Sequence, residues 1–286
     1  MKISELAKFK NQRGDEMRTK FLFFIFLFTT TLFSKDEPEP IVKPKSQPLQ
    51  LQTTFGFTLT AGNSDTRILT FDTNVKKPFE RFTCYAKSNL AYGTSRYGNG
   101  PRIETTNNWA LSTRLDWFTS DKRKGYLFVS GGLSGNKFRG YWSRRNAQLG
   151  AGYNFFHKVD TLKLSIGLGI DYSKDNLVVK GSADDEIFFA ILKPEFEMFL
   201  NKNVKIGNNS NFFIDFQELK NYRINSQTYL SLKVTTRLAI NLNFNLNYDN
   251  KPRIVPEIGD NGKPTGKFIP AKPADKIFNT GISITV

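Results

Sequence analysis

The chain contains very little cysteine and histidine. Its 286 residues include one Cys, Cys84, and one His, His157. A single cysteine cannot form a disulfide within the chain, and no Cys-rich zinc pattern exists. With one histidine, the sequence argues against a His-based metal site and against a His-dependent catalytic triad. We therefore expect no cofactor and no enzymatic activity.

Long apolar runs are also missing. No stretch of about 18 or more apolar residues occurs, so the sequence excludes a transmembrane helix. The mean hydropathy is −0.41. A membrane location stays open, because the strands of a membrane barrel alternate apolar and polar residues and score as polar on average. The 27 Phe, 10 Tyr and 21 Gly, against 3 Met, favour β-structure.

The basic residues form no cluster. The formal net charge is +15 at pH 7, a balance that can indicate nucleic-acid binding. The Lys and Arg residues are instead scattered, without a block or a single helical face. We expect no nucleic-acid partner.

The N-terminus is typical of a secretory signal. Arg18 and Lys20 precede the apolar run 21–28, and a small residue, Ser34, stands before an acidic and Pro-rich stretch. We predict a signal peptide over residues 1–34, with 1–16 as a possible upstream extension, and a disordered periplasmic leader over 35–48.

Period-2 alternation dominates from residue 49 to the end. Ile240, Leu242 and Phe244, for example, alternate with Asn241 and Asn243. This alternation predicts strands, and most are near the ~9–11 residues that cross a bilayer. The predicted strands cover residues 50–61, 66–76, 81–93, 105–118, 125–134, 145–156, 160–173, 187–200, 204–217, 226–237, 239–249 and 277–286. The sequence thus predicts an all-β domain over 49–286: a closed antiparallel up-and-down transmembrane β-barrel of about 12 strands.

Two places depart from the simple pattern. Pro194 lies inside a predicted strand, where it cannot donate a ladder hydrogen bond, so we predict a β-bulge there. The stretch 208–211 is polar on both faces, which makes the strand over 204–217 the weakest prediction.

Alternation alone does not say which face points inward, and a soluble lipocalin-like barrel is the alternative. Loop lengths favour the membrane barrel: one end has short turns, including 77–80 and 157–160, and the other has long loops, including 173–186 and 249–276. Aromatic residues also cluster at strand ends on the apolar face, as interfacial girdles do. The predicted girdle residues are Tyr92, Trp109, Tyr172, Phe188, Phe216, Tyr248 and Phe278 at one interface, and Phe82, Trp117, Tyr126 and Phe155 at the other.

Several segments resemble the DUF481 family. They are GFTLTAGNSD at 56–65, the stretch 108–121 that ends in Ser-Asp, NSQTYLSL at 225–232 and NYDNKP at 247–252. The resemblance covers about residues 50–286, and the Gly-Asn-Ser-Asp turn is its most specific part. It implies an outer-membrane barrel and little about activity. One departure is the C-terminus, which ends in Ile284-Thr-Val286 where such barrels usually end in an aromatic residue.

The inward face carries charges of both signs. The predicted lumen-lining residues are Asp72, Lys87, Arg114, Asp116, Lys163, Asp171, Lys193, Glu195, Glu197, Asp215 and Lys233. They could pair across the lumen and fill it, since buried charges require partners. They could also line a narrow aqueous path.

These patterns favour a porin-like narrow or gated channel, or a stress-linked envelope protein, in a Gram-negative outer membrane. The alternatives are an adhesin or receptor that uses the long loops, and an outer-membrane hydrolase. A hydrolase would need His157, which we predict to lie in a periplasmic turn. Expected partners are outer-membrane lipid and lipopolysaccharide, the barrel-assembly machinery during biogenesis, and small ions or solutes. The loop at 252–273 is predicted to be a mobile cover.

Overall fold

The structure, a computed structural model, describes residues 49–60, 64–97, 100–120, 122–158, 161–179, 186–259 and 264–285. The predicted signal peptide and leader lie outside these residues. Along the described part of the chain, no helix is both long and apolar enough to cross a membrane.

Twelve of the described strands form one closed antiparallel barrel, which confirms the predicted fold class. They are β1 (Gln50–Thr60), β2 (Ser64–Pro78), β3 (Phe82–Tyr97), β4 (Ile103–Phe118), β5 (Gly125–Asn136), β6 (Tyr141–Lys158), β7 (Leu162–Leu177), β8 (Glu186–Phe199), β9 (Val204–Asp215), β10 (Tyr222–Lys233), β11 (Leu238–Asp249) and β14 (Ala274–Thr285). β1 closes the ring by pairing with β14. The connection between β11 and β14 holds β12 (Ile254–Ile258) and β13 (Pro264–Pro270), which pair in a separate sheet.

The alternation of each strand separates an apolar outer wall from a polar lumen. Arg114 of β4 donates a hydrogen bond to Glu195 of β8, and a contact between these distant strands must cross the barrel interior. Residues paired with them across neighbouring strands therefore face inward. The opposite face exposes large apolar side chains such as Leu111, Leu149 and Phe244, as expected of a wall that contacts lipid.

Tyr126 corrects the predicted aromatic girdle. It was placed on the outer face, but its side chain is 3% exposed and lies inside the barrel. The start of β5 reads Gly-Tyr-Leu-Phe-Val and is apolar on both faces, so alternation could not determine whether Tyr126 points outward or inward. The cross-strand pair of Trp117 with Leu127 turns Leu127 outward and Tyr126 inward.

A lumenal apolar cluster fills one side of the barrel. Its members are Phe118, Tyr126, Phe128, Ile187, Phe189 and Ile191, with Phe213 packed against them. Glycines of the neighbouring strand β6 make room for the rings. A Cβ added at Gly150 would lie 2.6 Å from the Phe128 ring. The cluster adds a packed apolar core to the hydrogen-bonded ladder of the barrel.

The strands extend further than predicted at the long-loop end. β3 runs to Tyr97 and β4 starts at Ile103, so the connection between the predicted strands 81–93 and 105–118 is shortened to 98–102. The predicted mobile cover also differs, because most of its described residues form β12 and β13. At the other end, β6 continues to Lys158, so the placement of His157 in a turn was wrong.

Pro194 produces no bulge. The pairing of β8 with β7 runs without a register shift. Towards β9, pairing stops after Leu192 and resumes at Glu195 in the same register. The missing N–H of proline thus interrupts the ladder locally, and the flanking pairs hold the register.

Candidate functional site

The eleven residues predicted to line the lumen all stand at inward positions of their strands in the structure. They do not form one ring. Most belong to two networks on the side of the lumen formed by β4 to β9, and the other four lie apart.

The first network surrounds Arg114. Its Nε donates to Asp116 Oδ1 at 2.6 Å, and its Nη1 donates to Glu195 Oε1 at 2.7 Å. The guanidinium carbon also lies 5.2 Å from the ring centroid of Phe128 and 5.6 Å from that of Tyr126. A half-buried arginine with two carboxylates and two aromatic faces is held in one orientation. The Arg114 side chain therefore forms a fixed connection across the lumen between β4 and β8.

Lys193 extends this network towards β6 and β7. Its Nζ donates to Gln148 Oε1 at 3.0 Å. Gln148 Nε2 in turn donates to Asp171 Oδ1 at 2.9 Å, and Ser173 Oγ donates to Asp171 Oδ2 at 2.5 Å. The Asp171 carboxylate is buried but well supplied with donors. These charges are therefore engaged within the protein rather than offered to a solute.

The second network surrounds Glu197, nearer the short-turn end. Its Oε1 accepts from Lys163 Nζ at 2.6 Å. Its Oε2 accepts from Lys205 Nζ at 3.0 Å and from the Tyr229 hydroxyl at 2.7 Å. Three donors thus hold this carboxylate within the protein, and one of them, Lys205, is a lumenal charge that the sequence analysis did not include.

The other four predicted residues lie outside these networks. Asp72 accepts a hydrogen bond from Asn89, and Asp215 accepts one from Asn221 Nδ2 at 2.8 Å. Lys87 faces the lumen and is nevertheless exposed, as is Lys233 at the end of β10. Exposure at an inward position next to β4 means that solvent reaches the interior there.

The side of the lumen formed by β9, β10 and β11 is different in chemistry. We call it the amide wall; its residues are Asn209, Asn211, Asn225, Gln227, Asn243, Asn245 and Asn247. Asn209, Gln227 and Asn245 form one cross-strand row, and Asn211, Asn225 and Asn247 form another. All seven side chains are half-buried, and among the described residues none has a hydrogen-bonding partner. The amide wall is therefore neutral and offers unused donors and acceptors.

A lid crosses the mouth at the long-loop end. We use this name for the connection between β11 and β14, residues 250–273, described at 250–259 and 264–273. β11 and β14 lie almost diametrically opposite β6 and β7 in the ring. Arg253 of the lid nevertheless donates from Nε to Asp175 Oδ2 of β7 at 2.9 Å. Asp175 also accepts two hydrogen bonds from Arg144 of β6, at 2.6 and 2.7 Å.

Further contacts fix the lid against the opposite rim. Arg139 Nε lies 3.6 Å from Asp275 Oδ2 at the start of β14, which makes a second ion pair across the mouth. Gly140 ends the short 3-10 turn Lys137–Arg139 with a φ of +86°, in the left-handed region that favours glycine. A Cβ at Gly140 would lie 2.6 Å from Arg253 Cβ. The lid is thus closed by the ion pair of Arg253 with Asp175 and by the close approach of Arg253 to Gly140, and the Arg139–Asp275 pair joins the start of β14 to the same rim.

The charge state of Asp175 is set by its two arginines. It stands beyond Tyr172, the last outward aromatic residue of β7, and so lies outside the apolar belt. Burial alone raises the pKa of the Asp175 carboxyl, but the hydrogen bonds and charges of Arg144 and the charge of Arg253 outweigh it and lower the pKa to about 2. The carboxylate is therefore ionised at any ordinary pH.

The described residues contain no group of three His, Cys, Asp or Glu side chains that could hold a metal ion. His157 lies near the end of β6, opposite Lys163 of β7. This is the short-turn end of the barrel, the end away from the lid.

Sequence reasoning missed the residues that close the mouth. The sequence pattern placed all three residues, Arg144, Asp175 and Arg253, in loops. Alternation was used only within predicted strands, so it assigned these residues to neither face. Continuing the alternation of β6 and β7 by a few residues would have turned Arg144 and Asp175 inward. No local signal could have joined Arg253 to them, because this contact joins residues 78 positions apart.

A family model described as "Protein of unknown function, DUF481" matches residues 53–255. No curated protein matches the chain.

Three solved structures illustrate the likeness in fold. The translocator domain of the autotransporter NalP from Neisseria meningitidis is 14% identical over 96% of this chain and 97% of that chain, with a TM-score of 0.40. The NanC porin is 8% identical over 84% of this chain and 100% of that chain, with a TM-score of 0.45. The COG4313 outer membrane channel from Pseudomonas putida F1 is 10% identical over 87% of this chain and 99% of that chain, with a TM-score of 0.43. At these values the likeness carries no argument about activity.

Proposed function

This chain belongs to the DUF481 family of proteins of unknown function, and we propose that it is a narrow outer-membrane channel, closed by the lid at one mouth, for water and small uncharged polar solutes. The proposal includes a non-enzymatic role. It also includes export by the N-terminal signal, with lipid, lipopolysaccharide and the assembly machinery as partners. The short-turn end would face the periplasm, and the lid would face the exterior.

The observation that carries the proposal is the division of the lumen into two chemically different sides. The charges around Arg114 and Glu197 are paired, and the apolar cluster packs beside them. The amide wall opposite is neutral and unpaired. A solute that passes through the lumen therefore meets the amide wall as the available surface.

The chemistry of the amide wall indicates the class of solute. Each amide side chain presents both a donor and an acceptor. Hydroxyl groups of an uncharged solute can exchange hydrogen bonds with water for hydrogen bonds with successive amides. Ions gain less there, because none of the seven amide-wall side chains carries a charge. The lid explains how such a path can be closed without filling the lumen.

A matched pair of glutamine substitutions tests the position of the path. Gln227 belongs to the amide wall, whereas Gln148 is held between Lys193 and Asp171 on the paired side. Both are changed to glutamate in an Arg253→Gln background that releases the lid. Gln227→Glu should raise the ratio of K⁺ to Cl⁻ permeability several-fold, because it adds a charge to the path. Gln148→Glu should leave the ratio close to that of the background, since the new carboxylate lies between Lys193 and Asp171 on the paired side, away from the amide wall.

The readout is the reversal potential in planar bilayers under a KCl gradient. A shift with Gln148→Glu and none with Gln227→Glu would place the path on the other side of the lumen. The absence of any conductance in the released background would contradict the channel itself.

A further inference from the structure

The outer wall carries a polar cluster in the middle of its apolar belt. We call it the outer polar patch; it consists of Asn208 and Ser210 of β9 and Ser226 and Thr228 of β10. These residues alternate with the inward amides of the same strands, so their side chains point away from the lumen. Within the barrel, Asn208 pairs with Thr228, and Ser210 pairs with Ser226.

The patch lies at mid-depth rather than at an interface. On β10 the outward residues run from Tyr222 and Ile224 at the lid end to Leu230 and Leu232 at the short-turn end, with the patch between them. Across the neighbouring strands it is flanked by Phe196 and Phe244. The centre of the hydrocarbon layer contains no water and no lipid headgroup, so polar groups there need protein partners.

Most of these groups satisfy one another. Asn208 Nδ2 donates to Ser226 Oγ at 3.0 Å and to Thr228 Oγ1 at 2.9 Å. Ser210 Oγ lies 2.7 Å from Asn208 Oδ1 and 2.8 Å from Ser226 Oγ. The Thr228 hydroxyl accepts from Asn208 but donates to no group among the described residues. Asn208 Oδ1 keeps a second lone pair. The Thr228 hydroxyl is thus the one donor of the patch without an acceptor among the described residues, and Asn208 Oδ1 is an acceptor that can take a further hydrogen bond.

We propose that the outer polar patch is the centre of an interface between two copies of this chain. A two-fold axis along the membrane normal brings identical residues together at identical depth. It can place the Thr228 hydroxyl of one copy against Asn208 Oδ1 of the other, and the reverse, so that the unpaired donor of each copy gains an acceptor. Lipid tails offer no hydrogen bond, and only a second copy is certain to present these groups at this depth.

The surroundings allow the copies to approach. The four patch side chains are small or of medium size, and Phe196 and Phe244 stand beside them as larger apolar neighbours. Small polar residues surrounded by apolar ones are typical of association surfaces within membranes, where packing and hydrogen bonds replace the hydrophobic effect.

The test compares one isosteric change at two places on the outer wall. Thr228→Val removes the hydroxyl from the patch, and Thr113→Val makes the same change on β4, where Thr113 also faces outward opposite Ala86. Each full-length protein is labelled and reconstituted into vesicles, and self-association is followed by energy transfer over a range of protein-to-lipid ratios. Heat-modifiable mobility on detergent gels verifies that each barrel is folded.

Wild-type protein and Thr113→Val should associate equally, whereas Thr228→Val should raise the dissociation constant by about tenfold. Thr228→Ser, which restores a hydroxyl, should recover most of the association. A wild-type protein that stays monomeric at every ratio would overturn the proposal. Equal association of Thr228→Val and Thr113→Val would do so as well.

Discussion

Replacing Gly140 with alanine should open the lid. Gly140 has a φ of +86°, and a Cβ there would lie 2.6 Å from Arg253 Cβ. That separation is too short for two carbon atoms, so the lid must move away. Arg253 would then lose its hydrogen bond to Asp175, which joins the lid to the opposite wall. The expected result is a larger open fraction of channels.

Gly266 supplies a matched control. It lies in β13 with a φ of +85°, and a Cβ there would meet no atom within 4 Å. Alanine in the left-handed region costs about 1–2 kcal/mol at either position. Gly266→Ala therefore reproduces the backbone strain without the contact to Arg253, and it should leave the lid closed.

The size of the effect follows from the ion pair. Removing one partner of a buried pair costs about 3–5 kcal/mol. Asp175 keeps both hydrogen bonds from Arg144, and water can reach a displaced Arg253, so we expect about 1–3 kcal/mol here. Since 1.4 kcal/mol is a factor of ten, the ratio of open to closed channels should rise by about 5-fold to 150-fold.

Single-channel recordings in planar bilayers measure this ratio directly. The open fraction should increase in Gly140→Ala and match the wild type in Gly266→Ala. Equal open fractions in the two variants would refute the reasoning, because the contact at Gly140 would then not hold the lid.

Three further predictions concern the wall, the pH response and the lone histidine. Phe244→Arg should destabilise the barrel by about 2–4 kcal/mol and Asn243→Arg much less, because only the former places a charge in hydrocarbon. Denaturant titration in lipid vesicles measures both losses of stability. A greater loss with Asn243→Arg would mean that the asparagine face of β11, and not the Phe244 face, contacts lipid. The low pKa of Asp175, about 2 against 3.8 for the free group, means that its stabilisation of the lid is fully present above about pH 4 and is lost as the pH falls towards 2. Channels should therefore stay closed from pH 7 to 5, and opening in this window, seen in recordings, would contradict the assignment. His157→Ala should leave heat-modifiable mobility and conductance unchanged, and loss of a lipid- or peptide-cleaving activity in a folded variant would show a catalytic role.

Alternation predicted the barrel and the faces because it is a local signal that every strand carries. Strands such as β11, with Leu and Phe on one face and Asn on the other, separate an apolar face from a polar face without ambiguity. The signal fails where a strand has the same character on both faces. β5 is apolar on both near Tyr126, and β9 is polar on both near Asn208, so neighbouring strands decide the orientation of each.

The sequence could not reveal the closed mouth. The pairing of Arg253 with Asp175 depends on the lid crossing the completed barrel, and only the closed ring brings β7 near that path. The division of the lumen into a paired side and an amide wall could be predicted only in part. Alternation predicted the inward charges, but which of them are paired depends on contacts between distant strands, such as Arg114 with Glu195.

The swelling of proteoliposomes in a small uncharged sugar tests the central claim most directly. Vesicles that contain Gly140→Ala protein should swell quickly in an iso-osmotic solution of the sugar, and a further Gln227→Leu change should slow the swelling, because it removes an amide from the path. Vesicles that swell no faster than protein-free vesicles, although the barrel is folded, would contradict the account.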